Sequence, residues 1–199
     1  PIWHDYQHVG LVAVLGADGR LFSQDFRASE RLFAQLVQVA GRAGRANKDG
    51  ECSGDIYIET QFPEAAVYQY LLRHDVDGFL SHLAEEREEA KLPPFCYQAL
   101  VHAEAKSLDK ATRFLSKLKG RLQDQGLIGF GLKAYDPVPR SMMRVAGVER
   151  AQLLIESADR KRLQTVLEAI DSDLRSRSQG RISKEDRIRW LIERDPASI

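Results

Sequence analysis

Pro93 and Pro94 stand side by side in "KLPPF" (91–95), and they limit the folds open to this chain more than any other feature. Each proline lacks a backbone donor and fixes its own φ, and the residue before a proline is pushed away from helical geometry. A helix cannot run through such a pair, so the chain is read as two parts that meet there. Its 199 residues are enough for one large or two small domains, each with a core. Charge follows the same division. Residues 1–93 hold 9 Lys+Arg against 15 Asp+Glu, while residues 94–199 hold 20 against 14, so a formal net charge of zero conceals an acidic part and a basic part. The basic part is the better candidate for touching a polyanion.

Behind the prolines the pattern is regular. "YQALVHAEAK" (97–106) alternates like a strand, and residues 109–125 place Ala111, Phe114, Leu115, Leu118 and Leu122 at helical spacing. "LIGFGLKAY" (127–135) and "RAQLLIES" (150–157) read as strands, 160–174 as a second amphipathic helix, and "DRIRWLIER" (186–194) as a last strand. The order β-α-β-β-α-β is that of a split βαβ, ferredoxin-like layer: two helices on an antiparallel sheet.

Ahead of the prolines, "VGLVAVLGAD" (9–18) looks like a buried parallel strand, which implies a fragment whose sheet continues upstream. Asp18-Gly19 is a turn signal. Ser29 or Asp25 can cap a helix carrying Leu32, Phe33, Leu36, Val37 and Ala40, with Gly41 as its stop. "IYIET" (56–60) reads as a short strand, and Pro63 opens a helical stretch whose acidic end (85–91) is a solvated face.

No apolar run is long enough to span a membrane, and no secretory signal is visible. Cys52 and Cys96 are lone and His4, His8, His74, His82 and His102 lack ligand spacing, so no metal site is assigned. This usage fits a reducing cytoplasm. Lys117 and Arg121 lie along a helix, Arg140 and Arg144 on a loop, and Arg150 begins a strand. Such charges read either as a solvated face or as contacts to a DNA backbone. Tyr97 and Trp190 can stack on bases, but on strands such residues are more often core.

"QVAGRAGRA" (38–46) carries the sharpest signal. Taken alone, GRAGR reads more simply as a helix stop followed by two surface arginines. The functional alternative is a phosphate sensor. Arginine offers a planar, permanently charged fork matched to phosphate oxygens, and a spacing of three puts Arg42 and Arg45 on one side of a helical turn. With Gln38 in front, the string QxxGRxxR resembles motif VI of superfamily 2 helicases. "DFRASERLFAQLVQVAGRAGR" (25–45) is similar to the last conserved block of the PriA-type primosomal helicases. "HDY" (4–6), "GDIYIETQFPE" (54–64), "LAEEREEAKLPPF" (83–95) and "RIRWLIERDP" (187–196) resemble further landmarks of that family, so the likeness runs from end to end.

The resemblance implies the C-terminal part of an ATP-dependent 3′-to-5′ DNA helicase that restarts replication and assembles the primosome. Residues 1–62 are then the distal part of a RecA-like lobe 2, 63–93 a helical connector, and 94–199 the split βαβ domain. It implies Arg42 and Arg45 as catalytic sensors of ATP, Gln38, Gly41 and Asp5 on the nucleotide side, and His4, Lys117, Arg121, Arg140, Arg144 and Arg150 toward DNA. ATP and magnesium are its cofactors, and the P-loop and zinc cysteines of the family fall upstream. Its partners are branched or single-stranded DNA, primosome proteins and single-stranded DNA-binding protein, and the protein is a cytoplasmic monomer. Two rival readings stand beside it: a non-catalytic DNA- or protein-binding module, and another superfamily 2 nucleic-acid ATPase. The fragment alone is expected to be inactive.

Overall fold

A computed structural model describes residues 10–23, 25–43, 54–145, 147–178 and 188–197. The chain divides into two compact units, 1–89 and 90–199. In the first, strand β1 (Leu11–Val14) pairs in parallel with β2 (Asp55–Ile58), Leu11 opposite Asp55 and Val14 opposite Ile58. Helix α1 (Asp18–Leu21) follows β1, and the long helix α2 (Ala28–Ala43) lies between the strands in sequence. Parallel strands need such a crossover, because a tight turn can join only antiparallel neighbours. The pairing is the parallel one expected, but the burial is not. Leu11 is 59% exposed and Leu15 77%, and successive strand residues alternate between exposed and half-buried.

Helices α3 (Ala66–Leu72) and α4 (Val76–Glu89) replace the single helical stretch foreseen from Pro63. The break falls at Arg73–Asp75, where His74 takes a φ of 54°. Asp75 then caps α4, its Oδ1 accepting from Gly78 N at 2.8 Å. These helices pack with α2. Leu32, Phe33 and Leu36 of α2 share one buried cluster with Val67 and Tyr68 of α3 and Phe79 and Leu83 of α4. Phe33 and Phe79 stack with ring centroids 4.1 Å apart. Arg87 Nη2 reaches Glu30 Oε2 at 2.6 Å and tethers the far end of α4 to the start of α2.

The second unit holds β3 (Tyr97–Ala105), α5 (Leu108–Asp124), β4 (Leu132–Ala134), β5 (Val138–Val145), β6 (Val148–Ser157), α6 (Arg160–Ser178) and β7 (Arg189–Arg194). All pairings are antiparallel, in the order β4-β6-β3-β7 with β5 also on β6. This is an α+β arrangement whose two central strands are each separated in sequence by a helix from a flanking strand, as a split βαβ requires. Ala99, Val101 and Ala103 of β3 pair with Ile155, Leu153 and Ala151 of β6, and all six are fully buried together with Ala111, Leu115 and Leu118 of α5 and Val166, Leu167 and Ile170 of α6. The alanines of β3 let both helices approach the sheet. Tyr97 and Trp190 pack against this core.

Two expectations change here. The strand foreseen over 127–135 shrinks to Leu132–Ala134, behind a turn made by Gly129, Phe130 and Gly131. Arg140 and Arg144 sit on strand β5 rather than on a loop. β4 and β5 lie along the same side of β6, one opposite Ile155–Ser157 and the other opposite Val148–Gln152. They are one edge strand interrupted between Ala134 and Val138. Pro137 and Pro139 hide it in the sequence, yet an edge strand tolerates proline because one side of its backbone needs no partner.

Candidate functional site

Helix α2 continues through Gly41 to Ala43, so Gly41 is not the helix stop but lies in the last turn. Gly41 is exposed, and apart from its chain neighbours and the adjacent backbone of its own helix no described atom lies within 4 Å of where a Cβ would stand. Arg42 occupies the same final turn, and its side chain lies outside the description. Arg45, His4 and Asp5 lie outside the described residues altogether. Gln38 is exposed one turn earlier and lines a groove of ≈ 460 Å³ with Val14, Leu15, Gly16, Arg20 and Gln35. The groove lies at the carboxyl end of β1, where open α/β sheets take their ligands. Gly16, at φ 66°, makes the turn out of the strand. Arg20 donates to Gln35 Oε1 and joins the two walls. Gln38 and Gly41, the two described residues expected on the nucleotide side, thus share one end of α2, and Gln38 borders a groove walled by an arginine and two amides.

Asp18, in the chain between the groove residues Ala17 and Arg20, escaped the sequence reading, where it was only half of a turn signal. Its carboxylate accepts from Gln61 N at 2.8 Å, from Thr60 Oγ1 at 2.6 Å and from the Tyr68 hydroxyl at 3.0 Å. The backbone N–H of Gln61, followed by the Thr60 hydroxyl, holds the Asp18 pKa below its ordinary value. Tyr68 titrates higher than usual, chiefly because it is buried. One side chain therefore ties α1, the segment after β2 and α3 together. Its partners are more than forty residues away in sequence, and no local pattern announces them.

The proposed DNA-side residues of the second unit do not form one patch. Lys117 and Arg121 are one turn apart on α5, with Lys117 exposed. Arg121 Nη2 lies 2.8 Å from Asp173 Oδ2 of α6, in an ion pair by proximity without an aligned hydrogen bond. Arg150 pairs with Glu104, 2.8 Å from Nε to Oε1, across the β3–β6 register and on the sheet face away from the helices. Lys117 is thus on the outer side of the helical layer and Arg150 on the opposite side of the sheet. Arg140 is half-buried on β5, and the Arg144 side chain is outside the description. Among the described residues no group of three or more His, Cys, Asp or Glu side chains could hold a metal ion, and no helix is long and apolar enough to cross a membrane.

Residues 88–197, more than half of the chain, match the family described as the primosomal protein N C-terminal domain. The chain belongs to this family. Its curated relatives are replication restart proteins named PriA. That of Haemophilus influenzae is 35% identical over 196 residues, covering 98% of this chain and 25% of the relative. That of Bacillus subtilis is 32% identical over 166 residues, 83% of this chain and 20% of the relative, and that of Rickettsia conorii 32% identical over 168 residues, 82% and 24%. The chain spans about a quarter of the length of the PriA proteins it matches and corresponds to their C-terminal portion.

Proposed function

We propose that this chain is the C-terminal part of an ATP-dependent DNA helicase of replication restart, in which the end of α2 reads the terminal phosphate of ATP and the second unit touches forked DNA or a primosome partner. One observation supports the first half most directly: Gln38 lines a groove at the carboxyl end of β1, and Gly41 and Arg42 follow on the next turn of the same helix. The parallel β1–α2–β2 unit is what the distal part of a RecA-like lobe would contain. The groove lining suits one wall of a nucleotide site. Arg20, Gln35 and Gln38 offer a cation and amides to an anionic, hydrogen-bonding ligand, and no carboxylate among the lining residues suits magnesium. Bound ATP and its metal would supply the phosphoryl-transfer chemistry from cradles elsewhere in the helicase. Here Gln38 and Gly41 would bound the nucleotide, while Arg42 and Arg45 would stabilise charge growing on the transferred phosphate.

The test is steady-state ATP hydrolysis by a full-length family helicase that contains this sequence. Arg42→Ala and Arg45→Ala should each lower kcat by about 10³-fold, with ATP binding much less affected, as for an arginine that acts in the transition state. Unchanged kcat would reject the sensor role. The isolated chain should show no DNA-stimulated turnover.

A non-catalytic binding module is a distinct reading, and the internal pairing of Arg121 with Asp173 and Arg150 with Glu104 favours a protein partner for it over DNA at those two residues. A steep fall of DNA affinity with salt supports backbone contact, whereas a flat response points to a protein partner.

A further inference from the structure

Phe130, at the tip of the turn between α5 and β4, is 94% exposed. Its φ is 50°, between Gly129 at 113° and Gly131 at 90°. A bulky residue seldom takes positive φ, and holding one there costs about 1–3 kcal/mol, so such positions persist only where surrounding structure enforces them. The enforcement is visible. Arg162 Nη1 donates to the Phe130 carbonyl at 3.0 Å, and Ala158 N donates to the Gly131 carbonyl at 3.1 Å. The turn is thereby fastened to the start of α6 while its ring stands in solvent. The Arg162 guanidinium lies 5.8 Å from the ring centroid, within cation–π range. Gly131 borders a pocket of ≈ 230 Å³ lined also by Lys91, Lys133 and the exposed Phe95. Lys161 is exposed on the first turn of α6.

We propose that Phe130 is a stacking platform for an unpaired base of single-stranded DNA, with Arg162 against the ring and Lys133 and Lys161 drawing the flanking phosphates. Inside a duplex both faces of a base are covered by its neighbours and inserting a ring costs unstacking, so a solitary ring on a turn stacks at least cost on a base that is already unpaired. Aromatic–base stacking accepts any base and works beside a cationic track. A protein hot spot needs instead a ring of contacts that excludes water around its anchor. Phe130 has a glycine on either side and the Arg162 cation near its ring, with no apolar rim shown around it among the described residues, and this favours the nucleic acid.

The inference rests on the reading that the second unit contacts DNA, and the two can fail separately. The probe is an oligo-dT strand of about 15 nucleotides, long enough to cover one binding site, titrated into the 199-residue chain. Phe130→Ala should weaken binding by about 5- to 100-fold, the range of one lost base stack, and Phe130→Tyr should restore it. Phe130→Trp should show emission quenched at saturation, taken as the difference from the parent's Trp3 and Trp190 signal. Salt-sensitive binding equal in Phe130→Ala and the parent, with the Phe130→Trp emission unmoved, overturns the platform and leaves DNA contact standing. No binding of the oligonucleotide by the parent chain overturns both.

Discussion

The parallel pair β1–β2 and the antiparallel pair β3–β6 both lie beside helices, yet they bury their strands to different depths. In β3–β6 the residues facing α5 and α6 are sealed: Ala99, Val101, Leu153 and Ile155 are 0% exposed. In β1–β2 no strand residue is fully buried, and Leu11 and Tyr57 are 59% and 64% exposed. The buried weight of the first unit sits instead among α2, α3 and α4. Apolar burial is the chief favourable term in folding, so the second unit is held by a sheet–helix core and the first by its helices, leaving its strands and the groove beside them accessible.

The strongest way to break this comparison is to cut each core. Leu115→Ala in α5 and Phe79→Ala in α4 each remove a buried side chain, 0% and 1% exposed. The expected losses are about 2–5 and 3–5 kcal/mol. Urea unfolding with separate reporters should show Leu115→Ala shifting the second unit's transition and Phe79→Ala the first's. If either substitution moves both transitions together, the two cores are not independent. Leu11→Ala, on the open strand, should change stability by no more than about 0.5 kcal/mol.

Cys96 sharpens the comparison through reactivity. Burial, with a smaller contribution from the Glu156 carboxylate, pushes its thiol from 9.0 to about 11. At pH 8 this leaves about a hundredfold less thiolate than an ordinary thiol has, so iodoacetamide should label Cys96 correspondingly slowly in a Cys52→Ser background. The sign follows from the neutral form being favoured in the fold. The associated stability is complete below pH 9 and is lost as pH rises from 9 toward 11. Rapid labelling at pH 8 would show that this side of the second unit is not closed.

Asp18 makes the opposite prediction for the first unit. Its pKa is held below the ordinary 3.8 by the N–H of Gln61 and then the Thr60 hydroxyl, so the ionised form is favoured in the fold. Its stabilising effect is complete above about pH 4, the unfolded value, and is lost as pH falls through the depressed folded value. Acid titration should therefore weaken the transition of the first unit below pH 4, and Asp18→Asn should flatten that dependence. An acid response unchanged in Asp18→Asn would show that the three hydrogen bonds do not anchor the turn.

What the sequence disclosed follows the same divide. Helical spacing placed Ala111, Leu115, Leu118 and Leu122 correctly because all four are anchored by one continuous core face. The antiparallel order was legible because each strand carries its own period. β5 was not, because Pro137 and Pro139 mask an interrupted edge strand, and Phe130 was absorbed into an apolar run whose three positive φ values no periodicity reveals. At the candidate site, Gln38 and Gly41 were marked by the likeness of QxxGRxxR to helicase motif VI. The groove beside them was not, since it needs the end of β1 brought against α2, and Asp18 holds its surroundings through contacts far away in the chain.

The smallest expected effect distinguishes two glycines in comparable helices. Glycine in a helix interior costs up to about 1 kcal/mol relative to alanine. Gly120 lies within α5, and nothing stands within 4 Å of where its Cβ would be. Gly120→Ala should therefore raise the second unit's stability by about 0.4–1 kcal/mol, mostly by restricting the unfolded chain. Gly78 lies in the first turn of α4, where a Cβ would fall 2.2 Å from Asp75 Oδ2. Alanine there gains the same propensity but forces the Asp75 side chain to rotate out of its cap, a loss of about 0.5–2 kcal/mol. The two effects oppose, so Gly78→Ala should leave the first unit unchanged or slightly weaker. A clear gain at Gly78 would mean that Asp75 does not hold the start of α4, and that the turn at His74 is set by the packing of Phe79 beneath it.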